Sequence, residues 1–188
     1  MADKFNSLKE LEELFYDLTV SLIGGSPEPE VRQSWPTQGQ PGFTVEDNVA
    51  FLKIYDIPSA ITEQQETKFE YMESPEYYNE KISYTRTLNI SWIIYGPSSW
   101  EWATKIRYGI YYQEAHDLLA RNNIYIVPSF DPPRRIPEIW AGLWYERCDL
   151  EISFNELIQI NRESHYVEKV PVVVVDENNI RTEIIINK

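Results

Sequence analysis

The sequence predicts an α+β fold: a mixed, mostly antiparallel sheet packed against two main helices, with a C-terminal β-hairpin. Three observations lead there. Near the amino end Leu8, Leu11, Leu14, Phe15, Leu18 and Leu22 recur at three- and four-residue steps, the period of an amphipathic helix. Residues 82–95 and 143–155 instead alternate apolar with polar side chains, the period of half-buried strands. At the carboxyl end the Val- and Ile-rich runs 170–175 and 180–186 flank Asp176-Glu177-Asn178-Asn179, a turn signal between two strands. The 188 residues are 43% hydrophobic and 14% aromatic, enough to fill a core and to exclude global disorder. One domain is expected over 1–188, with a core at 1–157 and the hairpin, 158–188, as an extension.

Taken in order, the first helix spans about residues 7–22. Ser7 followed by Glu10 is a capping box, and Gly24-Gly25 stops the helix. The proline-punctuated stretch Ser26-Pro27-Glu28-Pro29 and then the run 34–42, beginning Ser34-Trp35-Pro36, predict a stiff loop without regular structure. Residues 49–57 and 68–72 read as strands, separated by a polar linker at 62–67 expected to be exposed and mobile. In the strand at 82–95, Ile82, Tyr84, Leu88, Ile90, Trp92 and Ile94 share one face. Ser83, Thr85, Thr87, Asn89 and Ser91 share the other, which should meet solvent or a neighbouring chain.

Gly96-Pro97 ends that strand. Ser98 and Glu101 form a second capping-box pattern, opening one helix to about residue 121, buried through Ala103, Ile106, Ile110, Leu118 and Leu119. Asn122-Asn123 closes it, 124–127 is a short strand, and 128–137 is a second proline-rich loop. The strand at 143–155 sets Cys148, Leu150, Ile152 and Phe154 against Tyr145, Arg147, Asp149, Glu151 and Ser153. The C-terminal strands should pair with the main sheet or with another subunit, because Val- and Ile-rich edges are sticky when bare.

Thirty acidic residues against seventeen Lys and Arg give a net charge of -13. Such a chain repels phosphate, which excludes gripping nucleic acid through clustered cations. No apolar run approaches the roughly 20 residues that span a bilayer. The first twenty residues mix acids with Leu and Phe and lack a signal-peptide pattern, so synthesis in the cytoplasm is expected, and the single Cys148 rules out an internal disulfide.

The residues point away from catalysis. Cys148, His116 and His165 are too scattered for a zinc site. Cys148 falls on an apolar strand face, where a thiol is inert, and there is no Gly-x-Ser-x-Gly elbow. Gly24-Gly25 has no lysine beside it to make a phosphate cradle, and pairs such as Glu12-Glu13 read as solvated surface. Asn89-Ile90-Ser91 matches a glycosylation sequon, but in mid-strand. No catalytic residue, cofactor or metal is expected. What stands out is large side chains on proline-stiffened loops: Trp35 in the first, and Pro132-Pro133-Arg134-Arg135-Ile136-Pro137 leading to Trp140 in the second. Such tryptophans can plug a core edge. They can equally form binding hot spots at low ordering cost, and Trp35, Arg134, Arg135, Ile136, Trp140 and Arg147 are the expected interface residues.

Three segments carry a family resemblance: VRQSWPTQGQPGFTVEDNVAF (31–51), SWIIYGPSSWEWATKIRYGI (91–110) and IYIVPSFDPPRRIPEIWAGLWYERCDLEISFNE (124–156). In order and spacing the chain resembles the neck or tail terminator proteins of tailed bacteriophages. The resemblance implies a virion structural subunit forming a ring, usually a hexamer, on the end of the tail tube. There it would stop tube polymerisation and join the tail to the head connector, with genomic DNA passing through the lumen without specific binding. An acidic lumen would suit that passage. The alternatives are a head-proximal neck adaptor or tail-completion protein, or a cellular binding domain or small carboxylate enzyme.

Overall fold

The computed structural model describes residues 3–25, 28–35, 39–71, 77–165, 169–175 and 181–187. The chain divides into two compact units, Lys4–Gln65 with Ser83–Gln159, and Met1–Asp3 with Glu66–Ile82 and Ile160–Lys188.

In the larger unit, helix α1 (Leu8–Ile23) begins at the expected capping box. The Glu10 N–H donates to Ser7 Oγ while the Glu10 carboxylate accepts from the Ser7 N–H (2.7 Å). Gly24, at φ 62, ends it in a conformation glycine adopts without strain. Strand β1 (Glu30–Gln33) lies parallel to β2 (Val49–Asp56), and β2 is antiparallel to β4 (Tyr77–Tyr95). The sheet order is β1-β2-β4-β9-β5, with β9 at Arg147–His165 and β5 at Ile124–Ile126 antiparallel to β9. Two-residue β6 (Arg134–Arg135) also pairs antiparallel with β9. This is the mixed, mostly antiparallel sheet of the α+β expectation.

One sheet face carries Leu52, Ile90, Trp92, Ile94, Cys148, Leu150, Ile152 and Phe154, all buried against Leu11, Phe15 and Leu18 of α1 and Ala103 and Ile106 of α2 (Ser99–Gly109). Phe15 anchors that core, its ring 5.1 Å from Phe154 and 6.4 Å from Trp92. The Trp92 indole N–H donates to Thr19 Oγ1 (2.9 Å), whose hydroxyl donates on to the Phe15 carbonyl (2.6 Å), so the one polar atom of the ring is satisfied.

The second helix differs from expectation. It breaks into α2 and α3 (Gln113–Arg121), with a tight turn at 110–112. Gly109 lets α2 press against Leu22 of α1, where a Cβ would come within 2.6 Å of Leu22 Cδ2. Glycine followed by Ile-Tyr-Tyr is a weak helical stretch, and Tyr112 turns extended to start α3. The second capping box does not form either. Ser98 has φ -96 and ψ 11, its N–H donates to Asn48 Oδ1 (2.7 Å), and Glu101 pairs with Lys105 (2.9 Å).

The polar face of β4 is also not open to solvent along its central stretch. Thr87, Asn89 and Ser91 are buried, with Thr87 bonded to Asn155 (3.1 Å) and Asn89 to both Tyr55 (2.6 Å) and Ser153 (3.2 Å). In the folded chain the Asn89 sequon is therefore not on the surface. The strand expected at 143–155 is interrupted at Glu146. Its first part, β8 (Leu143–Tyr145), pairs antiparallel with β7 (Glu138–Trp140) as a separate hairpin, and β9 continues beyond 155 to His165.

A 3₁₀ turn (Ala60–Glu63) at the end of a larger-unit segment leads into β3 (Gln65–Tyr71), most of which belongs to the smaller unit, so the polar segment expected as a linker is largely exposed but structured. β3 pairs with β4. Phe69 packs edge-on against Tyr78 (5.3 Å), and His165 lies 4.4 Å from Tyr77. Strands β10 (Lys169–Val175) and β11 (Arg181–Asn187) form their own antiparallel two-stranded sheet, Lys169 opposite Asn187 through Val175 opposite Arg181. They pair with each other and not with the main sheet; their expected turn lies outside the described residues. No helix among the described residues is long and apolar enough to cross a membrane.

Candidate interaction surface

The sheet face opposite the helices is built on aromatic rings. Phe51 alternates with buried Ala50 and Leu52, and Tyr95 with buried Ile94, so both project away from the helical core. Phe43, delivered by the first proline loop, packs against Phe51 (5.6 Å), Tyr95 (5.2 Å) and Tyr145 (5.8 Å). The Arg32 guanidinium lies 5.9 Å from both the Phe43 and Phe51 rings and is tied to Glu30 and to the Pro41 carbonyl (2.6 Å). Together with Glu138 and Trp140 these residues line an open cleft of about 400 Å³.

One wall of the cleft is the β7–β8 hairpin, turned by Ala141 (φ 50) and Gly142 (φ 80). Positive φ at both central residues is the twist a two-residue hairpin needs. Its register, Glu138 opposite Tyr145, Ile139 opposite Trp144 and Trp140 opposite Leu143, sorts the side chains. Glu138, Trp140, Leu143 and Tyr145 share the cleft side, while Ile139 and Trp144 point the other way. All of Ile139, Trp140, Leu143 and Trp144 are more than half exposed, Trp140 at 68% and Trp144 at 66%.

Charged bonds hold the hairpin in place. Arg147 donates to both Asp149 oxygens (2.7 and 2.8 Å) and to Glu138 (2.8 Å), and the Tyr95 hydroxyl donates to the other Glu138 oxygen (2.7 Å). The Tyr95 hydrogen bond and Arg147 hold the Glu138 carboxyl below its ordinary range. Burial, with Glu138 beside it, pushes the Tyr95 hydroxyl up to about 12. Arg135 pairs with Glu146 (2.9 Å) at the base of the hairpin and lowers the pKa of that carboxyl.

The six expected interface residues therefore fall into three groups. Trp140 is on the hairpin, Arg135 and Arg147 brace it, and Ile136 leads into it with its N–H bonded to the Arg147 carbonyl (2.9 Å). Exposed Arg134 lines a separate polar cleft with Asp131, Asp149 and Glu151. Trp35, 69% exposed, sits next to β1 with the Lys53 ammonium 4.7 Å from its ring. Sequence reasoning missed Phe43, Phe51, Tyr95 and Tyr145, and it missed the hairpin with Leu143 and Trp144. The signal was present: Trp-Ala-Gly-Leu-Trp-Tyr places a small two-residue turn between aromatic strands.

A second cleft, of about 390 Å³, opens on the helical side between Leu22, Trp100, Thr104, Lys105, Tyr108 and Tyr112. Trp100, Thr104 and Tyr108 follow one another at four-residue steps along α2, opposite buried Ala103 and Ile106.

Neither cleft presents a catalytic set. Cys148 is fully buried and its thiol is pushed up to about 11 by that burial, and His116 is exposed on α3. Among the described residues no group of three or more His, Cys, Asp or Glu could hold a metal ion. The family model for the phage neck terminator protein matches residues 9–184. The chain belongs to that family. As a neck terminator it is a bacteriophage virion structural protein, and the aromatic clefts are surfaces of a component that works where tail and head parts meet. No curated protein matches the chain.

Proposed function

We propose that this neck terminator assembles into a ring, a hexamer as the resemblance implies, that caps the tail tube, stops its polymerisation and joins it to the head connector. The mechanism is mechanical. One ring face complements the last turn of tube protein, and the other presents a different surface, so no further tube subunit can add. The observation that carries this reading is the uncharged hairpin of residues 139–145, exposed beside an aromatic cleft in a chain of net charge -13. Large exposed aromatics on a braced scaffold are the makings of protein interfaces. Trp35, Arg134, Arg135, Ile136 and Trp140 meet partner proteins in this reading, and Arg147 sets the hairpin that presents Trp140.

Residues 1–188 act as one terminator domain, with 158–188 as an added arm, made in the host cytoplasm and built into the neck. Several of the surplus carboxylates line the lumen, where like charge keeps DNA sliding; a ring channel lined mainly by Lys and Arg would refute that. The function is tested by pull-down of the purified chain against purified tube and connector proteins. Binding to both supports the terminator. Binding to the connector alone makes the chain an adaptor, and binding to neither removes it from the neck junction.

A further inference from the structure

We infer that the outward ridge of the β7–β8 hairpin, Ile139 with Trp144, seats in the Trp100–Tyr108–Tyr112 cleft of a second copy of this chain. The inference rests on the ring reading and names its subunit contact.

Two like-charged copies meet at least cost where both surfaces are neutral. Residues 139–145 carry no charge. In the helical cleft the charges of Glu101 and Lys105 cancel in a 2.9 Å pair. The cleft holds about 390 Å³, ample for one indole and one branched aliphatic side chain. Its polar atoms also match the ridge, since the Trp144 ring brings one N–H donor and the Tyr108 and Tyr112 hydroxyls can accept it.

Placement on the fold decides the symmetry. The hairpin stands on the sheet face opposite the helices, and the cleft lies on the helical side of the same unit. Ridge into cleft is a contact between two different patches, which repeats head to tail and can close a ring. Ridge against ridge would be self-complementary and would stop at a dimer.

The test places the photo-crosslinker p-benzoylphenylalanine at position 144 of the full chain and maps the crosslinked peptides by mass spectrometry. The expected result is a ladder of covalent oligomers whose crosslinks join residue 144 to the 100–112 segment of another copy. Trp144→Ala and Tyr108→Ala should each weaken self-association about tenfold or more, as truncation of an aromatic hot spot does, with the circular dichroism spectrum and melting temperature unchanged. Oligomers whose crosslinks map to 137–146, or anywhere outside the cleft, would overturn this contact and leave the ring intact. A chain that stays monomeric and forms no crosslink even with purified tube protein present would overturn both.

Discussion

Glu156 is the one fully buried charged side chain among the described residues. Its carboxylate is nonetheless satisfied: one oxygen accepts from the Asn6 backbone N–H (2.8 Å) and side chain (2.9 Å), the other from Arg86 Nε (3.0 Å). Asn6 also reaches the Asn122 carbonyl (2.9 Å), so this cluster fixes the chain entering α1 against the end of α3. Arg86→Met would strand a buried charge and should cost about 3–5 kcal/mol, measured by urea denaturation; Glu156→Gln should cost clearly less. Titration acts at the hairpin. Glu138 and Glu146 have lowered pKa values, so the stability they contribute is complete above their ordinary 4.5 and drains away as pH falls through the lowered values. Tyr95, raised from 10 to about 12, contributes fully below 10 and loses that contribution as pH rises toward 12. Melting temperature should therefore decline at both ends, and Tyr95→Phe with Glu138→Gln should flatten both limbs.

Among the elements, α1 sits where its sequence placed it because its signals are local. The capping box, the leucine period and the terminal glycines all act within a few residues, and Ser7→Ala should cost about 1 kcal/mol in denaturation experiments. The main strands were legible for the same reason: Leu88, Ile90, Trp92 and Ile94, and Cys148 through Phe154, bury as their alternation demands. What was not legible depended on distant partners. The break between α2 and α3 turns on Gly109 meeting Leu22, and the lost cap at Ser98 on Asn48 taking its N–H. Strand β1 exists because its four residues find β2 beside them in parallel. The candidate surface was legible only in part. Trp35 and Trp140 stood out by their loops, whereas the cleft joins Phe43, Phe51, Tyr95 and Tyr145 from four places in the chain, which only the sheet brings together. The turn at Ala141-Gly142 was a local signal that the tryptophans around it overshadowed.

At the scale of the whole molecule, a net charge of -13 and exposed aromatic surfaces pull in opposite directions. Like charge disfavours contact between copies and with DNA, while the neutral aromatic patches make contact favourable where two surfaces fit. In the role proposed above, that combination lets a neck component hold neighbouring proteins while the genome passes. The role proposed for this neck terminator is to end tube growth and join tail to head. The most direct measurement is negative-stain electron microscopy of phage particles made without it. Overlong tubes or unjoined heads and tails, restored by supplying the chain in trans, are the expected result; normal virions with tails of ordinary length would contradict this role.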